Sequence, residues 1–266
     1  MRIFALILCL LSVPAAAHEF WIEPLAYQVD ADGKLEAHLV NGQEFAGTKI
    51  AYFPSRFANF VLFSSEDAAR VTGRPGDSPA LNQDAVAEGL HIAAYQAKNA
   101  TVDYANWEKF QRFVDHKDFG DVLSRHQARG LPEADFEEVY SRYSKTLIGV
   151  GNSEGTDRRV GLETEIVALD NPYTDDLSGG FSVQVFYREN PRPNTQVEVF
   201  RKAADFSVTI ELYRTNDEGI ATFPVEPGYA YMVDAVVLRE PSDRLQETTG
   251  AVWQTLWANL TFAVPE

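Results

Sequence analysis

What this chain can fold into is constrained most by short apolar runs of period 2, set off by turn dipeptides and recurring along most of its length. Leu35, Ala37 and Leu39 alternate with Glu36, His38 and Val40, the pattern of a strand with one face buried. Asp32-Gly33 and Asn41-Gly42 flank that run as turn dipeptides. Phe57 with Phe60-Val61-Leu62-Phe63 predicts a second strand, and Gly89 to Tyr95 a third, entered from a turn. The stretch from Arg74 to Pro79 has loop composition. After residue 160 the same logic returns. Leu162 to Val167, Phe181 to Tyr187, Val197 to Phe200, Ile220 to Phe223, Tyr229 to Ala235 and Leu256 to Val264 all read as strands. Such spacing points to antiparallel sandwiches.

Between these halves the period changes. Trp107, Phe110, Phe113 and Val114 recur at helical spacing. Residues 119–129 read as a second helix, stopped by Gly130 and Pro132. Residues 133–147 read as a third, with Phe136, Val139, Tyr140 and Tyr143 on one face. The expected organisation is a mainly β protein: a signal peptide at 1–17, an N-terminal β-sandwich at 18–106, a helical insert at 107–147 and a C-terminal sandwich at 148–266. The two sandwiches are expected to be immunoglobulin-like or transthyretin-like.

The leader reading rests on Arg2, an apolar run from Ile3 to Val13, and small residues at Ala15 and Ala17, the three regions of a secretory signal. Cleavage between Ala17 and His18 makes His18 the first residue of a periplasmic or secreted protein. Its α-amine and imidazole Nδ1 then close a chelate ring on one metal ion, a nitrogen set that suits nickel and copper. Cys9, the single cysteine, lies inside the leader, so thiolate sites and disulfides are excluded from the mature chain. The net charge of −16, from 39 acidic and 23 basic side chains, makes nucleic acid and anionic membranes poor partners. The leader's apolar run is too short to span a bilayer, and no later run reaches the length a spanning helix needs.

Four features carry a family resemblance: the mature start His18-Glu19-Phe20-Trp21-Ile22-Glu23-Pro24, Arg142-Tyr143-Ser144-Lys145 followed by Gly161 to Val167, the Asp217-Glu218-Gly219 turn with Pro227-Gly228, and Trp253 with Trp257 to Phe262. In their order and spacing the chain resembles the DUF4198 family over essentially all of its mature length. That resemblance implies a periplasmic substrate-binding or accessory component of cobalt or nickel uptake. The cargo it implies is Ni2+ or Co2+, with Cu2+ and Zn2+ as alternatives. The expected partners are the metal ion and a membrane transporter component.

Of the five histidines none falls at His-x-His or His-x3-His spacing, so a metal site must be assembled in space. His18 and His91 are the candidate ligands. His91 stands at a strand start and reads equally as a packing residue or as a ligand reaching the amino terminus. His38, His116 and His126 read as solvated surface residues. Glu19 and Glu23 are candidate carboxylate donors, and Glu23 also reads as solvated. Arg142 and Glu165 are expected to pair, and Trp253 and Trp257 to pack in the core. No histidine is paired with a nucleophile by any motif, and the chain is expected not to be an enzyme. Two further classes stay open: a non-catalytic β-sandwich module binding carbohydrate or protein, and a copper oxygenase built on an N-terminal histidine.

Overall fold

The computed structural model describes residues 19–65 and 67–266; the expected leader, its cleavage point and His18 lie outside them. The chain order is β1 (Glu19–Pro24), β2 (Gln28–Val29), β3 (Lys34–Gln43), β4 (Ala46–Ile50), β5 (Phe57–Phe63), β6 (Ala68–Arg70), β7 (Leu81–Asp84), β8 (Gly89–Ala97) and β9 (Ala100–Tyr104). Helices α1 (Trp107–His116) and α2 (Val122–Ala128) follow, then β10 (Phe136–Val150), β11 (Thr164–Ala168), β12 (Phe181–Tyr187) and β13 (Asn190–Pro191). The chain closes with β14 (Gln196–Lys202), β15 (Val208–Arg214), β16 (Ile220–Phe223), β17 (Ala230–Arg239), α3 (Asp243–Thr249) and β18 (Trp253–Ala263).

The fold is mainly β, as its alternating runs predict, and its centre is a ten-stranded sheet in the order β15-β14-β17-β18-β10-β8-β5-β6, with β2 and β9 also on β10. One face carries β11, β12, β13 and β16, sealed by a core that includes Ile166, Phe181, Val183, Tyr231, Leu260 and Phe262. The other carries the small sheet of β1, β3, β4 and β7 through Phe20, Ile22, Tyr95 and Ile148. Helices α1 and α2 cover the rest of that face through Phe110, Phe113, Val122, Trp253 and Trp257. The regions expected as separate N- and C-terminal sandwiches thus share one sheet. Among the described residues no helix is long and apolar enough to cross a membrane.

One predicted helix is a strand. Residues 136–150 form β10, which pairs in parallel with β18 and antiparallel with β8 and β9. Layers cover both faces of its strand, so both sets of side chains are buried and the period-2 signal disappears. What remains is the Phe, Val, Tyr, Thr and Ile content that favours a strand. The turn expected at Asn41-Gly42 also moves. Strand β3 runs on to Gln43, and the reversal falls at Glu44 and Phe45, with φ of 53° and 59°. Gly42 serves close approach instead, since a Cβ there would come within 2.0 Å of the Ala46 carbonyl oxygen.

Candidate functional site

A row of polar side chains crosses four adjacent strands of the large sheet. Glu198 on β14 lies opposite Asp234 on β17, Asp234 opposite Asn259 on β18, and Asn259 opposite Ser144 on β10. Residues opposite one another in paired strands point to the same face, here the face that carries β1 and α1. All four are buried.

Helix α1 supplies the cation. It starts at Asn106, whose side chain accepts the Lys109 N–H at 3.0 Å, and it buries Phe110, Phe113 and Val114. Phe113 stacks on Trp257 with ring centres 5.6 Å apart, which seats the end of the helix over the polar row. Lys117, the C-cap, places Nζ 2.8 Å from Glu198 Oε1 and 3.1 Å from Asp234 Oδ2, and 4.8 Å from the centre of the Trp257 ring. His116 is exposed, with Nε2 3.4 Å from the same Glu198 oxygen.

Strand β1 closes the other side. Ser144 Oγ donates to the Phe20 carbonyl at 2.7 Å. That fixes Glu19, only 4 % exposed, with Oε2 accepting the Glu44 N–H at 3.1 Å. Between Asp234 and Ser144, Asn259 is 3 % exposed, yet neither its amide oxygen nor its amide nitrogen has a partner among the described residues.

Burial and the neighbouring Asp234 push the Glu19 carboxyl up to about 7. Burial likewise raises Asp234, to about 6, against the pull of Lys117. Burial also opposes ionisation of Glu198, but the His116 hydrogen bond and the Lys117 ammonium outweigh it and hold that carboxyl below its ordinary range. Burial disfavours the Lys117 charge too, and there Asp234 and Glu198 prevail and raise it. The hydrogen bond to Glu198 raises His116 in turn. The chamber therefore gathers three carboxyl groups against one fixed ammonium, with an imidazole at the rim.

Of the histidines and carboxylates singled out in the sequence, only Glu19 and His116 join this cluster among the described residues. His18 lies outside the described residues. His91 is buried on β8 opposite Ile148, four positions beyond Ser144 on β10, or about 13 Å along the strand; the structure does not bring it beside Glu19. Its Nδ1 faces the Gly89 carbonyl at 3.3 Å, and its Nε2 has no partner among the described residues. His38 is half buried opposite Glu23, and burial and Lys49 lower its pKa. Glu23 is not simply solvated: it accepts a hydrogen bond from Lys202 Nζ.

Two expectations are corrected. His126 is fully buried, because α2 turns Val122 and His126, four apart, inward. Its Nε2 meets the Pro132 carbonyl at 2.8 Å and its Nδ1 accepts from Trp253 Nε1 at 3.0 Å. Glu165 pairs with Lys145 at 3.1 Å, not with Arg142. Lys145 also meets Asp157 at 2.8 Å, and the two carboxylates take the backbone N–H groups of Val160 and Ala168. That second buried lysine is satisfied and structural. Trp253 and Trp257 pack in the core as expected.

Sequence reasoning missed Lys117, Glu198, Asp234 and Asn259. A signal was there, in the last three at least: each interrupts an otherwise apolar strand, as Asp234 does in Tyr231-Met232-Val233-Asp234-Ala235-Val236-Val237.

The family model described as "Domain of unknown function (DUF4198)" matches residues 15–239. No curated protein matches the chain. Among solved structures, the chain is similar to a tetra-tandem repeat in the extending region of a large adhesion protein, at 8 % identity and a TM-score of 0.21. That similarity covers 92 % of this chain and 49 % of the other, so the chain spans about half the length of that structure.

Proposed function

The chain belongs to the DUF4198 family, and on that premise we propose that it is an exported, periplasmic or secreted, metal-binding protein rather than an enzyme. Its cargo is a transition-metal ion, Ni2+ or Co2+ before Cu2+ or Zn2+, held by the α-amine and imidazole of His18 and passed to a membrane transporter component. The observation that carries this reading is the burial of Glu19 against Asp234, Glu198 and His116. The first described residue, Glu19, thus stands among buried carboxyl groups. Among the described residues no three His, Asp or Glu side chains converge on one ion position, and the proposal takes its nitrogen donors from residue 18. Imidazole, amine and carboxylate together form a donor set suited to Ni2+ and Co2+, and the unpartnered Asn259 amide oxygen is a further neutral donor of the same hardness as a carboxylate oxygen.

The test is calorimetric titration of Ni2+, Co2+, Cu2+ and Zn2+ into two preparations, one beginning at His18 and one with a single extra Ala before it. Tight binding in the first and its loss in the second is the expected result. Equally weak binding in both would overturn the reading.

A further inference from the structure

We infer that the cleft between Leu25 and Phe206, where a buried layer between two sheets opens to solvent, is a binding site for a small organic monocarboxylate with an apolar body. The site is independent of the metal reading, since none of its residues belongs to the cluster around Glu19.

Strand register makes this cleft. Trp21 on β1 lies opposite Val40 on β3, and both pack with Phe45, Phe200 and Met232 in one buried layer. Phe200 on β14 lies opposite Met232 on β17. Two residues further along each strand, on the same face, stand Glu23 opposite His38 and Lys202 opposite Ala230. The apolar layer therefore ends in a polar mouth, a cleft of about 270 Å³. Leu25 and Phe206 also line it, 53 % and 81 % exposed. Its volume lies just below the roughly 300–1,000 Å³ of drug-sized ligand sites, so its occupant is small.

The charges at the mouth set the sign of that occupant. Glu23 is already engaged, accepting from Lys202 Nζ, which also stands 3.9 Å from the centre of the Phe45 ring. Lys49 on β4 lies opposite Val40, and so on the same face as His38. It lines the cleft with no hydrogen bond or salt bridge among the described residues. Burial and Lys49 lower the His38 pKa, so its ring is neutral at pH 7. Its Nδ1 is buried without a partner among the described residues, which leaves Nε2 to meet a ligand. This local surplus of cation runs against a chain with 39 acidic and 23 basic side chains. A carboxylate answers both the Lys49 ammonium and the imidazole N–H. An apolar body covers Leu25 and Phe206, two large side chains otherwise left in water. A metal cation has the wrong sign beside two lysines, and a bare inorganic anion leaves the apolar walls wet.

The test is NMR titration of the 13C-labelled histidine rings at pH 7 in EDTA-treated protein, with the His38 signal assigned by His38→Gln. The probes are hexanoate, acetate, which lacks the apolar body, and hexanamide, which lacks the charge. Hexanoate should shift the His38 signal to saturation, and acetate and hexanamide should each bind at least about tenfold more weakly. Lys49→Gln and Phe206→Ser, both at exposed positions that leave the cores intact, should each weaken hexanoate at least about threefold. A His38 signal unmoved by hexanoate would overturn the inference, as would equal binding of hexanoate and hexanamide, or an affinity unchanged in both variants. No metal enters the readout, so a failed nickel titration sinks the metal reading alone, and an unmoved His38 signal sinks this one alone.

Discussion

Lys117 Nζ stands 3.1 Å from Asp234 Oδ2, joining residues 117 positions apart, and this contact pins the end of α1 to the middle of the large sheet. Replacing Lys117 with Met keeps the apolar stem over Trp257 but leaves Glu198 and Asp234 buried without their cation. Removing one partner of a buried ion pair costs about 3–5 kcal/mol. The loss should be larger at pH 8 than at pH 5, because at the lower pH the carboxyls take up protons and need no counter-ion. Urea unfolding at the two pH values checks this, and an unchanged midpoint at pH 8 would show that the pair contributes nothing.

His126 and Trp253 make a second such test. The imidazole accepts the Trp253 indole N–H and meets the Pro132 carbonyl, so it locks α2 and its following loop onto β18. His126→Ala removes a buried ring and orphans the indole N–H. A cost of about 2–4 kcal/mol follows from the cavity and the lost acceptor together. Urea unfolding followed by tryptophan fluorescence measures it. A surface histidine in the same place would have cost less than about 0.5 kcal/mol.

Much of the fold was legible in the residues. Strands that keep one wet face, such as β3 with Glu36 and His38 half exposed, announce themselves by alternation. Helix α1 does so by its spacing of Trp107, Phe110, Phe113 and Val114. The central strand β10 does not, because tertiary layers bury both its faces and leave aromatic residues at spacings that also suit a helix. The chamber was less legible still. Its members come from β1, α1, β10, β14, β17 and β18, and only the register that sets Glu198, Asp234, Asn259 and Ser144 in one row makes them neighbours. His126 and His38 look alike in sequence, and only the inward turn of α2 separates them.

Glu138 offers a pH test away from the chamber. It is buried, accepts from Tyr104 at 2.9 Å and from Thr255, and burial pushes it up to about 7. An acid whose pKa is higher folded than unfolded contributes stability below its ordinary pKa and loses it as pH rises through the folded value. The loss therefore falls between about pH 4.5 and 7. Glu138→Gln, which cannot ionise, should be more stable than the parent at pH 8 by up to about 3 kcal/mol, and the gap should close toward pH 4.5. Urea midpoints across that range decide it. A gap of constant size would mean that Glu138 does not change its proton between folded and unfolded states.

His91 separates a ligand from a packing residue. It lies about 13 Å along β10 from the level of Ser144, behind the core that β1 forms with Phe20 and Ile22. Burial lowers its pKa, so the ring is held neutral, with Nε2 unpartnered among the described residues. Replacing it with Leu exchanges an unsatisfied nitrogen for an apolar group of similar size, a change that is close to neutral. His91→Leu should shift stability by less than about 1 kcal/mol and leave nickel affinity within about threefold, which is under 1 kcal/mol. The Ala extension before His18 should abolish tight binding in the same titration. A tenfold loss of affinity in His91→Leu, with the fold intact by circular dichroism, would restore His91 to the ligand set and require the N-terminal strand to reach it by a different path.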